Sequence, residues 1–248
     1  MDKLLYIAMS GAKENMNGIA VRANNLANAS TVGFKADFEQ ARSMQAFGAG
    51  LPTRVFAMTE NPSQNFDAGA IMTTDRDLDV AIQGDGWFSV LAADGNEAYT
   101  RSGNLQISAN GMLETATGNL VMGDNGPIQL PLPIAKVEIA LDGTISALPQ
   151  GAPANAMEQV GRIKLVKPLH SDMEKGSDGL FRRKDGQPAQ ADINVSLLKG
   201  AVEGSNVSAV GEMTNMISLQ RQFELQVKMM KTAEDMDQQQ NQLLRIVG

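Results

Sequence analysis

The two ends of the chain carry apolar stripes at a period near 3.5, and nothing else in the sequence constrains the fold as tightly. Leu5, Met9, Ala12, Met16, Ile19, Ala23 and Leu26 recur in alternating steps of four and three. Met213, Met216, Leu219, Phe223, Val227, Met230, Ala233, Met236, Leu243 and Val247 form a second stripe at similar spacing. A seam of that period keeps one helix facing another along its whole length. The sequence therefore predicts a helix at each terminus, and these stripes are the candidate assembly interface. The first seam is thin, since Gly11 and Gly18 each cost about 1 kcal/mol against alanine inside a helix. Burying its Leu, Met and Ile residues gains roughly 1.5–3 kcal/mol each. Fixing the backbone costs about 1–2 kcal/mol per residue. Such a helix needs partners, and its small residues let a partner's backbone come close.

Between the stripes the rhythm changes. The first helix is expected to end near Asn28, before the turn-forming stretch 29–35. Residues 36–65 are irregular in pattern, with Gly48, Gly50, Pro52 and Pro62, and read as an arm with a short helix over 37–45. From Leu78 the period is two: Leu78, Val80 and Ile82 alternate with polar or small neighbours. Asp94-Gly95, Asn110-Gly111 and Asp142-Gly143 are hairpin signals between short apolar runs. Many short strands with regular turns predict an all-β module. Gly204, Ser205 and Asn206 lead into the last helix, with Ser205, Asn206 or Ser208 as candidate caps. The expected class is α+β, with the terminal helices paired as a coiled-coil-like core domain and a central all-β domain. The expected domains are 1–30 with 206–248, an arm at 31–66, and a β domain at 67–205.

Composition narrows the chemistry. The net charge of -7 opposes a nucleic-acid footprint, which is basic and clustered. With no cysteine and one histidine, His170, neither a disulfide framework nor a thiolate or histidine zinc site is expected within one chain. Asp75-Arg76-Asp77-Leu78-Asp79 begins like a calcium loop, but the template's sixth and twelfth positions hold Val80 and Gly86 instead of Gly and Glu. Gly84-Asp85-Gly86 resembles the start of a dinucleotide fingerprint without the surrounding βαβ unit, so a turn is the reading. No Gly-x-Ser-x-Gly elbow occurs. No catalytic, cofactor or metal site is expected, and no segment is long and apolar enough to insert in a membrane. The start of the chain carries no readable secretion signal, because Gly11, Lys13, Glu14 and Asn15 interrupt the apolar run after Lys3.

Four stretches then carry a resemblance. The run 23–35, with Asn24, Asn25, Leu26, Ala27, Asn28, Gly33 and Phe34, resembles the N-terminal signature of the bacterial flagellar rod and hook family. Residues 79–88, with Gly84 and Gly86, resemble its second signature, although the family usually has a smaller aromatic at Trp87. Tyr99-Thr100-Arg101-Ser102-Gly103-Asn104-Leu105 resembles the third. Ser205, Asn206 and Val207, with 212–217, resemble the C-terminal one. The opening residues 1–12 resemble the family's proximal-rod branch, with the distal-rod or hook-type branch as the alternative. The resemblance implies a structural, non-enzymatic subunit of the basal-body rod, polymerising through its terminal helices into the torque-transmitting shaft that crosses the periplasm. Its partners would be copies of itself, other rod subunits and the flagellar type III export apparatus. From another class, the rival is a β-module ligand-binding protein on a helical oligomerisation stalk. A polymer needs apolar surface on both ends of the chain, whereas a binding module needs a pocket in the β region.

Overall fold

The computed structural model describes residues 2–39, 41–45, 55–59, 63–153 and 156–247; for 2–4, 41, 59 and 240–247 it describes the backbone. The chain divides into two compact units. The first contains residues 1–29, 36–65 and 207–248, and the second 30–35 and 66–206.

The first unit is built on α1 (Asp2–Ala27) and α2 (Ala209–Val247). The helices run antiparallel. A methyl group on Gly11 would meet the Gln226 amide at 3.0 Å, and one on Gly18 would meet Leu219 Cδ1 at 3.1 Å. Gly11 and Gly18 are seven residues apart, as are Leu219 and Gln226, so the contact repeats once per heptad on both helices. The glycines that weaken α1 as an isolated helix are thus the places where α2 approaches it. Ser208 caps α2: its Oγ accepts the Gly211 N–H at 3.3 Å, as an N-cap side chain does. In the same turn Glu212 is bound by Arg22 of α1 at 3.1 Å.

The expected short helix over 37–45 does not form. Asp37–Phe38 pairs with Ser63–Gln64, and Ala41–Gln45 pairs antiparallel with Val55–Thr59. Residues 41–45 have fair helix propensity, but pairing with a strand of Val, Phe and Thr overrides it. Gly48, Gly50, Pro52 and Pro62 lie outside the described residues.

Apart from a single 3-10 turn at His170–Asp172, the described regular elements of the second unit are strands. Its largest sheet runs antiparallel through Met173–Lys175, Phe181–Arg183, Glu97–Thr100, Trp87–Leu91, Leu120–Gly123, Leu113–Thr115 and Leu105–Ile107. A three-stranded sheet orders Ile134–Ile139, Thr144–Pro149 and Glu158–Arg162. Two strand pairs complete the unit: Val80–Gln83 with Ser196–Lys199, and Ile71–Thr73 with Ala201–Glu203. Hairpin chemistry follows the sequence. At Asp142-Gly143, Gly143 holds φ +86°, and the Asp142 carboxylate accepts the Thr144 N–H at 3.0 Å. Val80, Phe88, Leu105, Leu113, Val121, Ile145 and Leu197 belong to the main core. A second core gathers Trp87, Tyr99 and Phe181, with Phe66 packed against it.

Candidate assembly surface

An amphipathic helix pair hides one face of each helix and leaves the other to solvent. On α1 the hidden face is made of small and polar residues: Ala8 and Ala12 are buried, and Asn25 is inaccessible. Ile19 and Leu26 are half-buried. Leu5, Met9, Met16 and Ala23 stay exposed, with Met9 at 52% and Met16 at 58%. On α2 the inward face repeats as Ala209, Glu212, Met216, Leu219, Phe223, Gln226, Met230 and Ala233, each buried or half-buried. Met213, Val227 and Met236 point away and are exposed, as are Val210 and Ile217. The side chains of Leu243 and Val247 lie outside the described residues.

So each sequence stripe splits in two. Ala12, Ile19 and Leu26, with Met216, Leu219, Phe223 and Met230, lie on faces covered within the chain. Leu5, Met9, Met16 and Ala23, with Met213, Val227 and Met236, remain on open faces. A period near 3.5 locates a helix and its apolar arc, but a wide arc does not say which edge is covered by the chain itself.

The family-signature residues fix the backbone around the helices and within the β unit. Asn25 acts as a two-pronged staple: its Nδ2 donates to the Asp37 carbonyl at 2.8 Å, and Asp37 N–H donates to its Oδ1 at 2.9 Å. Asn28 Nδ2 donates to the Asn24 carbonyl at 2.9 Å, closing the last turn of α1. Ala27 is exposed there. Gly33 holds φ +71°, and a Cβ on it would lie 2.3 Å from the Arg101 carbonyl carbon, so only glycine fits. Its N–H donates to the Glu203 carbonyl at 2.7 Å. Phe34 lies under the Lys175 ammonium, 4.0 Å from ring centre to Nζ. Gly84 accepts from Arg101 Nη2 at 2.8 Å, and a Cβ on Gly86 would reach Val195 Cγ1 at 2.7 Å. Asn206 donates from Nδ2 to the Asp67 carbonyl at 3.0 Å, while Ser205 and Val207 are half-buried beside it.

One cluster escaped sequence reasoning. Lys35, Arg101 and Glu203 are buried together in the second unit, with side chains 1%, 4% and 2% exposed. Glu203 Oε1 accepts from Lys35 Nζ at 2.6 Å and from Gly69 N–H at 2.9 Å, and its Oε2 accepts from Arg101 Nη1 at 2.9 Å. Arg101 also lies over the Trp87 ring, 5.4 Å from its centre. Burial lowers the Lys35 pKa, against the opposing pull of the Glu203 carboxylate. The available signal was Glu203 itself, a lone carboxylate inside the run Ala201-Val202-Glu203-Gly204.

Elsewhere the chemical candidates take ordinary positions. Asp79 of the calcium-like stretch sits 3.4 Å from Arg76 Nε. His170 is exposed and stacks on Phe66 at 4.4 Å. Among the described residues, no group of three or more His, Asp or Glu is placed to hold a metal ion. Nor is any described helix long and apolar enough to cross a membrane.

Comparison with known proteins gives three family matches in chain order. Residues 5–35 match the flagella basal body rod protein family. Residues 81–147 match the D1 domain of flagellar hook protein FlgE/F/G, and residues 198–243 the C-terminal part of flagellar basal body rod FlgEFG proteins. Flagellar basal-body rod protein FlgF of Escherichia coli (strain K12) is 44% identical over 250 residues, covering 98% of this chain and 99% of that protein. FlgF of Caulobacter vibrioides is 36% identical, covering 94% and 95%. The rod protein FlgG of Buchnera aphidicola (subsp. Schizaphis graminum) is 32% identical, covering 96% and 98%. The chain belongs to the flagellar basal-body rod protein family and is FlgF-like within it.

Proposed function

We propose that this structural rod subunit is held in the flagellar shaft by the open apolar faces of its terminal helices. The observation that carries the reading is the exposure of those faces. Leu5, Met9 and Met16 on α1 and Val210, Met213 and Ile217 on α2 are 39–75% exposed, although the opposite faces are already packed. Contiguous apolar surface of this kind on a folded chain marks an interaction site. In this reading α1 and α2 pair as a coiled-coil-like core, and further helices from copies of the chain and from other rod subunits cover the outer strips. The β unit decorates that core. The subunit transmits torque and catalyses nothing, works in the periplasmic part of the basal body, and leaves the cytoplasm through the flagellar type III apparatus.

The chain has no cysteine, which allows a direct test. Met16→Cys and Ile217→Cys are introduced singly and probed with a maleimide, in the free chain and in purified basal bodies. Both are expected to react in the free chain and to be protected in basal bodies. Equal reactivity in the two states would remove the outer faces from the assembly.

A further inference from the structure

Methionine is distributed unevenly in this chain. In the buried apolar core it appears once, as Met173, among many Val, Ile, Leu and Ala side chains. On the open faces of the two helices it is the commonest large apolar residue: Met9, Met16, Met213, Met229 and Met236 are 47–58% exposed. A thioether packs adaptably against varied neighbours, which suits a surface that meets several subunits. It is also the apolar side chain that oxidises, and the product is polar and chiral. Leucine would supply the same volume without that liability.

We propose that these five helix methionines are an oxidation-sensitive modification set that gates entry into the rod. The inference rests on the assembly reading above. In the unassembled subunit each sulfur is accessible to a peroxide. The thioether sulfur gives two electrons, the O–O bond breaks, one oxygen stays on sulfur as the sulfoxide, and the other leaves as water. The sulfoxide oxygen is a strong acceptor that a dry helix contact leaves unpaired, so the modified face no longer buries. Because the set lies outside the packed cores, the folded subunit persists while its assembly surface is switched off. A methionine sulfoxide reductase restores it, with a dithiol supplying the two electrons and the oxygen leaving as water. Once the faces are buried against neighbours, the sulfurs are shielded, so only the free pool responds.

The full chain is treated with hydrogen peroxide and mapped by peptide mass spectrometry. Sulfoxide is expected early at the five helix positions, as at the similarly exposed Met44, Met58 and Met72, and last at Met173, with the unfolding transition followed by helical circular dichroism unmoved. Oxidation of Met173 as fast as the five would overturn the proposal. In cells lacking their own relative of the chain, synthesis is then induced with and without sublethal peroxide, and incorporation into basal bodies is counted. Peroxide is expected to cut incorporation of the parent and to spare a variant with all five methionines changed to leucine. Equal loss for both chains would overturn the proposal alone. If the leucine variant enters poorly without peroxide, the pair Met9→Leu with Met213→Leu replaces it and is expected to resist in part; no resistance counts against the proposal. An untreated parent that stays out of basal bodies would refute the assembly reading and the proposal with it.

Discussion

Glu203→Gln is expected to be among the most damaging near-isosteric changes in the β unit. The wild-type carboxylate is the counter-charge of two cations, Lys35 and Arg101, neither more than 4% exposed. Glutamine keeps the shape and one acceptor, but it removes the negative charge and turns an amide donor toward a donor. Breaking a buried pair by neutralising one partner costs about 3–5 kcal/mol, because the remaining charge is buried without compensation. For a chain of this length each kcal/mol moves the midpoint by about 2–4 °C, so the expected fall is about 6–20 °C. The single tryptophan, Trp87, is 1% exposed and lies under Arg101, so its fluorescence reports this unit's unfolding. Glu138→Gln, which breaks an ion pair whose partners are about half exposed, is the control and should leave the midpoint in place. The loss should also depend on pH. Burial already lowers the Lys35 pKa below its usual value, and Glu203 opposes that shift. Without Glu203 the folded-state pKa drops further, so the unfolded chain binds more protons over a wider window below 10.5. Stability then rises with pH in that window, and the deficit of the variant shrinks as the solution becomes alkaline. A midpoint within about 2 °C of the parent, the scale of a surface substitution, would refute the reasoning.

Two further outcomes follow from the same geometry. Burial pushes the Tyr99 hydroxyl up to about 12, so its contribution is complete below about 10 and is lost as pH rises through 12. In a Tyr6→Phe background the tyrosinate absorbance should therefore appear near 12, and a step near 10 would contradict the buried position. Gly103→Ala should cost about 3 kcal/mol by overpacking, because its Cβ would lie 1.7 Å from the Val80 carbonyl oxygen. Gly95→Ala, with nothing within 4 Å but φ +80°, should cost only about 1 kcal/mol, and equal urea midpoints for the two would contradict this account.

Local chemistry made much of the fold legible. The heptad spacing placed both helices, with α1 ending at Ala27 where the sequence put it near Asn28. Asp-Gly and Asn-Gly pairs marked the hairpins because only a few residues take positive φ cheaply. What stayed hidden was long-range. Residues 41–45 read as helical because their partner strand, Val55–Thr59, comes later in the chain, beyond the reach of a local pattern. Val80, Ala81 and Ile82 read as alternating, yet all three are buried, because this strand is covered on both faces. The ion cluster joins positions 35, 101 and 203, and no periodicity links residues so far apart. On the terminal helices, spacing found the apolar arcs but not the division between covered and open edges. Only the approach of α2 to Gly11 and Gly18 draws that line.

That division decides where assembly is tested. Leu219→Asp places a charge against Gly18 within the chain, so it confounds folding with assembly. Met16→Asp places it on the open face of α1, where Met16 is 58% exposed. The variant and the parent are produced in cells lacking their own relative, and each is quantified in purified basal bodies while swimming is scored. The expected result is a chain whose unfolding midpoint matches the parent's but which is missing from basal bodies in non-swimming cells. Normal incorporation and swimming with Met16→Asp would contradict the claim that the open helix faces build the rod.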